Sequence, residues 1–82
     1  MNEYPIVNAG YTIVEMVYTL KNSRREEGFA LGMGPNGMWV TWAYAKDEVG
    51  RSGRGCFWGH YFTDERAAKA DFHRRLADEF SN

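Results

Sequence analysis

The chain has 82 residues, of which 44% are hydrophobic and 16% aromatic, and its net charge is −1. This length predicts one domain, residues 1–82, because a second unit would have no core of its own. The near-neutral charge argues against a general nucleic-acid binder, since such proteins usually carry a basic excess that neutralises phosphates. The aromatic content excludes an intrinsically disordered chain.

Signals for secretion or membrane insertion are not visible in the sequence. The first twenty residues lack a basic start followed by an apolar run. No segment approaches the roughly 18–20 apolar residues that a membrane-spanning helix requires. Cys56 is the only cysteine and cannot form an internal disulfide, which suits a reducing compartment. We therefore expect a soluble, cytoplasmic protein that does not enter a membrane.

The first half of the chain predicts two strands joined by a polar turn. Residues 1–10 form a lead-in that is irregular or an edge segment. Residues 11–20 are rich in β-branched and aromatic side chains, which favours a first strand. Residues 21–28 are polar throughout and end in glycine, so they predict a solvated turn. Residues 29–34 predict the second strand.

The segment Gly34-Pro35-Asn36-Gly37 is the strongest local signal. Proline presets φ at the first turn position and glycine supplies a positive φ, which predicts a type I turn with a glycine bulge. Such a turn makes an antiparallel hairpin with a third strand over residues 38–45. The usual register then places small residues opposite large ones, with the pairs Gly32–Val40 and Ala30–Trp42.

The second half predicts a loop, a strand and a helix. The segment Lys46–Gly55 is rich in glycine and charge and predicts the longest loop. Residues 56–63 predict a fourth strand, and Thr63 is the expected N-cap of a helix over residues 64–80. Apolar residues recur every four positions along this helix and predict its buried stripe: Ala68, Phe72, Leu76 and Phe80.

The predicted fold is α+β: a four-stranded antiparallel sheet (β-β-β-β-α) with the C-terminal helix packed on one face. Even-numbered strand residues are assigned to the helix-covered face: Val14, Met16, Tyr18, Val40, Trp42, Trp58 and Phe62. The opposite face would then expose Ile13, Val17, Leu31, Trp39, Phe57 and Tyr61. A solvated antiparallel face is normally polar, so this apolar face predicts a binding surface or a dimer interface.

Catalytic and metal-binding patterns find little support. His60 and Cys56 are assigned to one strand face, where a separation of four residues places them about 13 Å apart, too far for a nucleophile and its base. His60 is expected to be a structural histidine, hydrogen-bonded near the helix. The two histidines and one cysteine lack the spacing of zinc ligands. We therefore expect no catalytic residue, metal or cofactor, and no enzymatic activity.

Two functions fit the uncovered aromatic face. The first is a small non-catalytic protein-interaction module that forms a homodimer or binds another protein, because aromatic residues are enriched at interfaces. The alternative is single-stranded nucleic-acid binding, in which the aromatic rings stack on bases and loop arginines contact phosphates. Both hypotheses use the same predicted interaction surface: Trp39, Phe57, Tyr61, Arg51 and Arg54.

The chain also resembles a family of small uncharacterised proteins from Gram-positive gut bacteria and their mobile elements. The shared outline is a "GxxLG"-like strand, a "YVTW" strand, a "WGHY" strand and a helix with "A…D(F/Y)…R". It is carried here by Leu31, Gly32, Val40–Trp42, Trp58–Tyr61, Ala68, Asp71, Phe72 and Arg75. Trp39 and the Arg/Gly-rich loop depart from it. The resemblance implies an accessory, non-catalytic role and a common structural centre at Trp42, Trp58, His60 and Phe72, but no activity.

Overall fold

Neighbouring strands pair in chain order, and a single helix follows them. A computed structural model describes residues 5–47 and 55–80. Within these residues the strands are β1 (Val7–Asn8), β2 (Tyr11–Lys21), β3 (Arg25–Met33), β4 (Trp39–Asp47) and β5 (Gly55–Phe62), and the helix is α1 (Glu65–Phe80). All the strand pairs are antiparallel. The α+β class, the antiparallel sheet and the C-terminal helix are confirmed.

The predicted number of four strands is wrong, because the lead-in contributes a fifth. Val7 and Asn8 pair with the start of β2 and form a short edge strand. Ala9 and Gly10 make the two-residue turn between them, and both have positive φ, as the tightest hairpin turns require. No described helix is long and apolar enough to cross a membrane. Arg51, Arg54 and the middle of the predicted loop lie outside the described residues.

The predicted polar turn before β3 is shorter than expected. The side-chain oxygen of Asn22 accepts hydrogen bonds from the backbone N–H groups of Arg24 and Arg25, both at 2.8 Å. This closes the chain within a few residues, so the strand begins at Arg25 and not at Phe29. The charged residues after Arg25 therefore lie within the sheet, and Glu26 is buried.

The register of the β3–β4 hairpin is confirmed, but its turn type is not. Gly32 pairs with Val40 and Ala30 with Trp42, as predicted. Asn36 has φ 58° and ψ 33°, and Gly37 has φ 76°. Two successive residues with positive φ make a type I′ turn, which matches the twist of the strands and favours the Asn-Gly pair.

Three bulges interrupt the alternation of faces that the prediction assumed. The register of β2 shifts after Ile13 and again after Tyr18. The register of β5 shifts opposite Trp42, where Trp58 and Gly59 together face one residue of β4. Each extra residue moves all following side chains to the other face of the sheet. The predicted assignment of even-numbered residues to the helix-covered face is therefore wrong.

The helix packs on the side that was predicted to be uncovered. Leu31 is fully buried against Ala68 and Phe72 of the helix, and the partly buried Val17 and Trp39 pack against the same cluster. Of the residues assigned to the covered face, Phe62 packs in this cluster, whereas Met16, Val40 and Trp42 lie in the cluster on the opposite face. Val14 and Trp58 are exposed at bulges.

The opposite face is covered by its own aromatic side chains on the curled sheet. Tyr11 contacts Trp42 edge to face, with ring centroids 5.9 Å apart, and lies 6.0 Å from Tyr61. These rings lie over glycines, since a Cβ added at Gly34 would fall 2.5 Å from the Tyr11 ring. Val40 is fully buried there without a second layer of secondary structure.

The helix begins one residue later than predicted. The side chain of Asp64 accepts a hydrogen bond from the backbone N–H of Ala67 at 2.9 Å, which makes Asp64, and not Thr63, the N-cap. The predicted stripe is confirmed for Ala68 and Phe72, whereas Phe80 is exposed. Asp71 is buried beside this stripe.

Candidate functional site

Trp58 occupies a strained position on the edge strand β5. Its backbone has φ 53°, a left-handed conformation that side chains other than glycine rarely adopt. It lies at the bulge opposite Trp42, and its side chain is 72% exposed. Bulges next to binding sites commonly redirect a side chain. Here the bulge directs the indole ring of Trp58 toward solvent.

Arg75 of the helix holds this bulge in place. Its Nη2 donates to the carbonyl oxygen of Trp58 at 3.0 Å, and its Nη1 donates to the carbonyl and hydroxyl oxygens of Thr41 at 3.1 and 3.0 Å. The guanidinium also lies 5.3 Å from the centroid of the Phe29 ring, within the range of a cation–π contact. One side chain thus ties the helix to β3, β4 and β5.

The buried carboxylate of Asp71 also bonds to Thr41, which Arg75 contacts. Oδ2 of Asp71 accepts hydrogen bonds from the Thr41 hydroxyl at 2.6 Å and from Nδ1 of His60 at 2.9 Å. Burial alone would raise the pKa of Asp71, but the two hydrogen bonds and the charges of His60 and Arg75 outweigh it and hold the pKa below its usual value. Asp71 is therefore ionised at neutral pH and fixes the orientation of His60. The expected hydrogen bond of the His60 ring near the helix is confirmed.

A histidine oriented by a carboxylate is also the arrangement of a catalytic base, which needs a nucleophile within reach. The Thr41 hydroxyl donates to Asp71 itself. Cys56 pairs with Tyr44 and lies on the opposite face from His60, because the Trp58–Gly59 bulge separates them. The prediction that Cys56 and His60 share a face is therefore wrong. Burial raises the pKa of the Cys56 thiol to about 11, so it is an unreactive thiol at neutral pH.

Next to Trp58, a groove opens where the helix ends and leaves one corner of the sheet uncovered. Its floor and walls come from β2, β3, β4 and β5, and its far side is the last turn of the helix. The volume is about 230 Å³, and it continues into a recess of about 300 Å³ between Phe29 and the helix. We call this feature the Trp58 groove. Its lining residues are Thr19, Glu27, Gly28, Phe29, Ala43, Tyr44, Ala45, Phe57, Trp58 and Glu79, with Arg75 and Asp78 in the recess.

The walls of the Trp58 groove are aromatic and its rim is acidic. Phe57 and Trp58 contact each other edge to face, with ring centroids 4.9 Å apart. Glu27 forms an ion pair with Arg25 at one end, and Glu79 stands at the helix end. Among the described residues, no group of three or more His, Cys, Asp or Glu side chains could hold a metal ion.

The structure does not bring the predicted interaction surface together on one face. Trp39 packs under the helix, and Phe57 pairs with Ala43 on the same side, where it lines the Trp58 groove. Tyr61 is on the opposite face, 57% exposed and in contact with Tyr11. Arg51 and Arg54 lie outside the described residues. Phe57 alone of the predicted aromatics therefore belongs to the groove.

Sequence reasoning missed Trp58 as an exposed residue, and it missed the roles of Asp71 and Arg75. A single glycine within a strand pattern often marks a bulge, so the Trp58-Gly59 pair carried a usable signal. Asp71 precedes Phe72 on the buried side of the helix, where an acidic residue requires a hydrogen-bonding partner. The side chain of Arg75 reaches the sheet, a contact between distant elements that the spacing of residues along the helix does not reveal.

Comparisons with protein-family models, with curated proteins and with solved structures find no match to this chain. The resemblance to the gut bacterial family therefore stays a prediction. Residues that carry the resemblance, Thr41, His60, Asp71 and Arg75, do meet in one hydrogen-bonded network.

Proposed function

We propose that this chain is a small non-catalytic protein-interaction module whose contact site is the Trp58 groove. The observation that carries the proposal is the exposed Trp58 side chain, held by Arg75 in a left-handed backbone conformation. Tryptophan is among the residues most enriched at the energetic centres of protein interfaces. An exposed tryptophan beside a second aromatic ring and a concave surface is what such a centre requires.

Stability alone does not account for Trp58. A left-handed backbone costs about 1–2 kcal/mol for an ordinary residue, and glycine would avoid that cost. The ring recovers part of it by packing against Phe57, but most of its surface remains in water. Strained backbone positions cluster at functional sites, where the surrounding structure over-determines them. A binding role explains why a large aromatic residue occupies this position.

The same geometry favours a protein partner over single-stranded nucleic acid. Stacking on bases needs aromatic rings along one continuous surface, whereas Trp39 and Tyr61 lie on opposite faces of the sheet. Carboxylates of Glu27 and Glu79 line the groove and would repel phosphates. The pair His60–Asp71 lies on the helix side, and the Thr41 hydroxyl bonded to it donates to Asp71 and not to His60, which supports a non-catalytic function.

The predicted homodimer is retained as one form of this interaction. The aromatic residues on which it was based are divided between the two faces of the sheet. Trp39 lies under the helix, and Tyr61 packs against Tyr11 on the opposite face. A dimer would therefore form through the Trp58 groove, and Trp58→Gly would make it monomeric. The single cysteine and the resemblance support a cytoplasmic accessory protein of a bacterial mobile element as the setting.

The proposal is tested by selecting peptides from a random library displayed on phage. The immobilised target is the full chain, and each round is depleted on the Trp58→Gly variant. We expect enriched peptides that bind the wild-type chain and bind Trp58→Gly at least tenfold more weakly. Enrichment of peptides that bind both chains equally, or no enrichment over several rounds, would refute the groove as a protein-binding site.

A further inference from the structure

The bulge at Trp58 and Gly59 carries its glycine at the unusual position. When two residues of one strand face a single residue of its partner, two backbone forms are common. In one form the first residue lies near the right-handed helical region, which any side chain adopts. In the other form the first residue is left-handed and is normally glycine. Trp58 is the first residue here and has φ 53°, so the chain adopts the glycine form with a tryptophan.

Gly59 stands at the second position of the bulge for a steric reason. A Cβ at Gly59 would lie 3.0 Å from Nε1 of Trp42 and 3.0 Å from the ring of Tyr61. Both distances are shorter than ordinary van der Waals contacts, so the packing of these two rings favours glycine at position 59. This glycine therefore serves the face opposite to the helix and does not relieve the strain at Trp58.

The contact that selects the left-handed form comes from the helix. Nη2 of Arg75 donates to the Trp58 carbonyl oxygen at 3.0 Å, while Nη1 is anchored on two oxygens of Thr41. The direction of that carbonyl depends on the backbone angles of Trp58, so the bond is lost when they change. A hydrogen bond from a charged donor and the strain of a left-handed residue are similar in free energy. The two forms of the bulge are therefore closely balanced, and this bond decides between them.

We propose that the Trp58–Gly59 bulge is a two-state element and that the docked Arg75 side chain selects its left-handed state. When the bond to Arg75 is lost, Trp58 relaxes to negative φ, and the strand pairs on both sides keep their register. The rotation about the N–Cα bond moves Cβ of Trp58, so its ring leaves the contact with Phe57. Presentation of the ring at the Trp58 groove thus depends on the docking of the helix end. Where it concerns binding, this inference rests on the proposed function.

The test is an NMR comparison of wild type with Arg75→Lys, using the full-length chain labelled with ¹³C and ¹⁵N. Lysine keeps the positive charge and the aliphatic stem, but it lacks the planar fork with which arginine bonds two groups at once. The readout is the NOE between the amide proton and Hα of residue 58, which is much stronger when φ is positive. Arg74→Lys is the matched control, because it makes the same change at the neighbouring, exposed position.

We expect a strong NOE at residue 58 in wild type and in Arg74→Lys, and its loss in Arg75→Lys. A second comparison uses Trp58→Asn, because asparagine tolerates the left-handed conformation better than tryptophan. When Trp58→Asn is combined with Arg75→Lys, residue 58 should keep the strong NOE without the bond from arginine.

The combined variant also decides the case in which Arg75→Lys alone does not fold. The proposal then requires that Trp58→Asn restores a folded chain with a strong NOE at residue 58, because asparagine reduces the strain that Arg75 offsets. A combined variant that stays unfolded, or that folds with a weak NOE, would overturn the proposal. An unchanged NOE in Arg75→Lys would overturn it too, and so would an equal loss in Arg74→Lys.

Control of binding is measured on the same Arg75→Lys sample with a library-selected peptide. We expect the affinity to fall in proportion to the loss of the left-handed state, although Trp58 itself is unchanged. Unchanged affinity together with a lost NOE would overturn this control. The NOE comparison needs no peptide, so a failed library selection would refute the proposed function and leave the two-state bulge standing. A persistent NOE would refute the bulge and leave the proposed function to the library selection.

Discussion

At position 58, the backbone conformation and the proposed function favour different residues. Folding favours glycine there, because φ is 53° and any Cβ raises the energy of a left-handed conformation. Binding favours tryptophan, because its ring supplies apolar area and a π face to a partner. Arg75 resolves the conflict by holding the Trp58 carbonyl from the helix.

The strain predicts an inverted order of stability for two variants of this residue. Both Trp58→Gly and Trp58→Ala remove the ring, but only alanine keeps a Cβ in the left-handed conformation. Glycine is ordinarily less stable than alanine in a strand by about 0.5–1 kcal/mol. Here we expect Trp58→Gly to be more stable than Trp58→Ala by about 1 kcal/mol, measured by urea denaturation. Equal stability, or the ordinary order, would show that position 58 is not strained.

The contact of helix α1 with strands β4 and β5 depends on the buried carboxylate of Asp71. The pKa of Asp71 is lower in the folded chain than its ordinary value, so Asp71 stabilises the fold above the unfolded pKa of about 3.9. That contribution is lost as the pH falls through the lower folded pKa. We expect Asp71→Asn to reduce the free energy of unfolding by about 2 kcal/mol at pH 7, with the difference from wild type shrinking below about pH 4.

The matched control for this pH dependence is Asp47→Asn. Asp47 is an exposed carboxylate that lies 3.9 Å from Arg25, and such a pair contributes at most about 1 kcal/mol. Urea denaturation of the three chains at several pH values separates the two sites. A constant difference between wild type and Asp71→Asn across the acid range would contradict the assignment of the low pKa to Asp71.

Close approach of β2 and β3 predicts a second, purely steric effect. A Cβ at Gly28 would lie 2.2 Å from the carbonyl oxygen of Val17, and a backbone atom cannot move aside as a flexible side chain can. We expect Gly28→Ala to destabilise the chain by about 3 kcal/mol. Gly37→Ala has open space around its Cβ and should cost only about 1 kcal/mol from its positive φ. Similar losses in both variants would contradict this account.

The parts of the fold that depend on local sequence were predictable. The segment Gly34–Gly37 determines the hairpin, and the pairs Gly32–Val40 and Ala30–Trp42 follow from its length. The α1 helix follows from its apolar spacing. Residues of the regular strand β4 do alternate, but the helix covers the face opposite to the predicted one, so Trp39 and Trp42 were assigned to the wrong faces. The bulges in β2 and β5 depend on contacts between distant strands and, in β5, on Arg75, so a simple alternation rule fails there. Because Trp58 lies at one of these bulges, the candidate site was missed with them.

On the scale of the whole molecule, two layers of different kinds cover the sheet. The helix covers one face as far as its last turn, and aromatic rings lying over glycines cover the other. Much of the apolar surface that the sequence indicated is thereby buried, although Tyr61 stays 57% exposed, and the groove lies at a corner of the described sheet beside the helix end. We therefore propose that recognition takes place at this corner and that the rest of the molecule provides stability.

The most direct test of whether Trp58 serves binding and not stability is to measure both properties in Trp58→Gly. The free energy of unfolding is obtained from urea denaturation, and the affinity for a library-selected peptide from the same protein preparation. We expect the free energy to stay within about 1 kcal/mol of wild type and the affinity to fall at least tenfold. A loss of more than about 2 kcal/mol with unchanged peptide affinity would show that Trp58 serves the fold and that the groove is not the binding site.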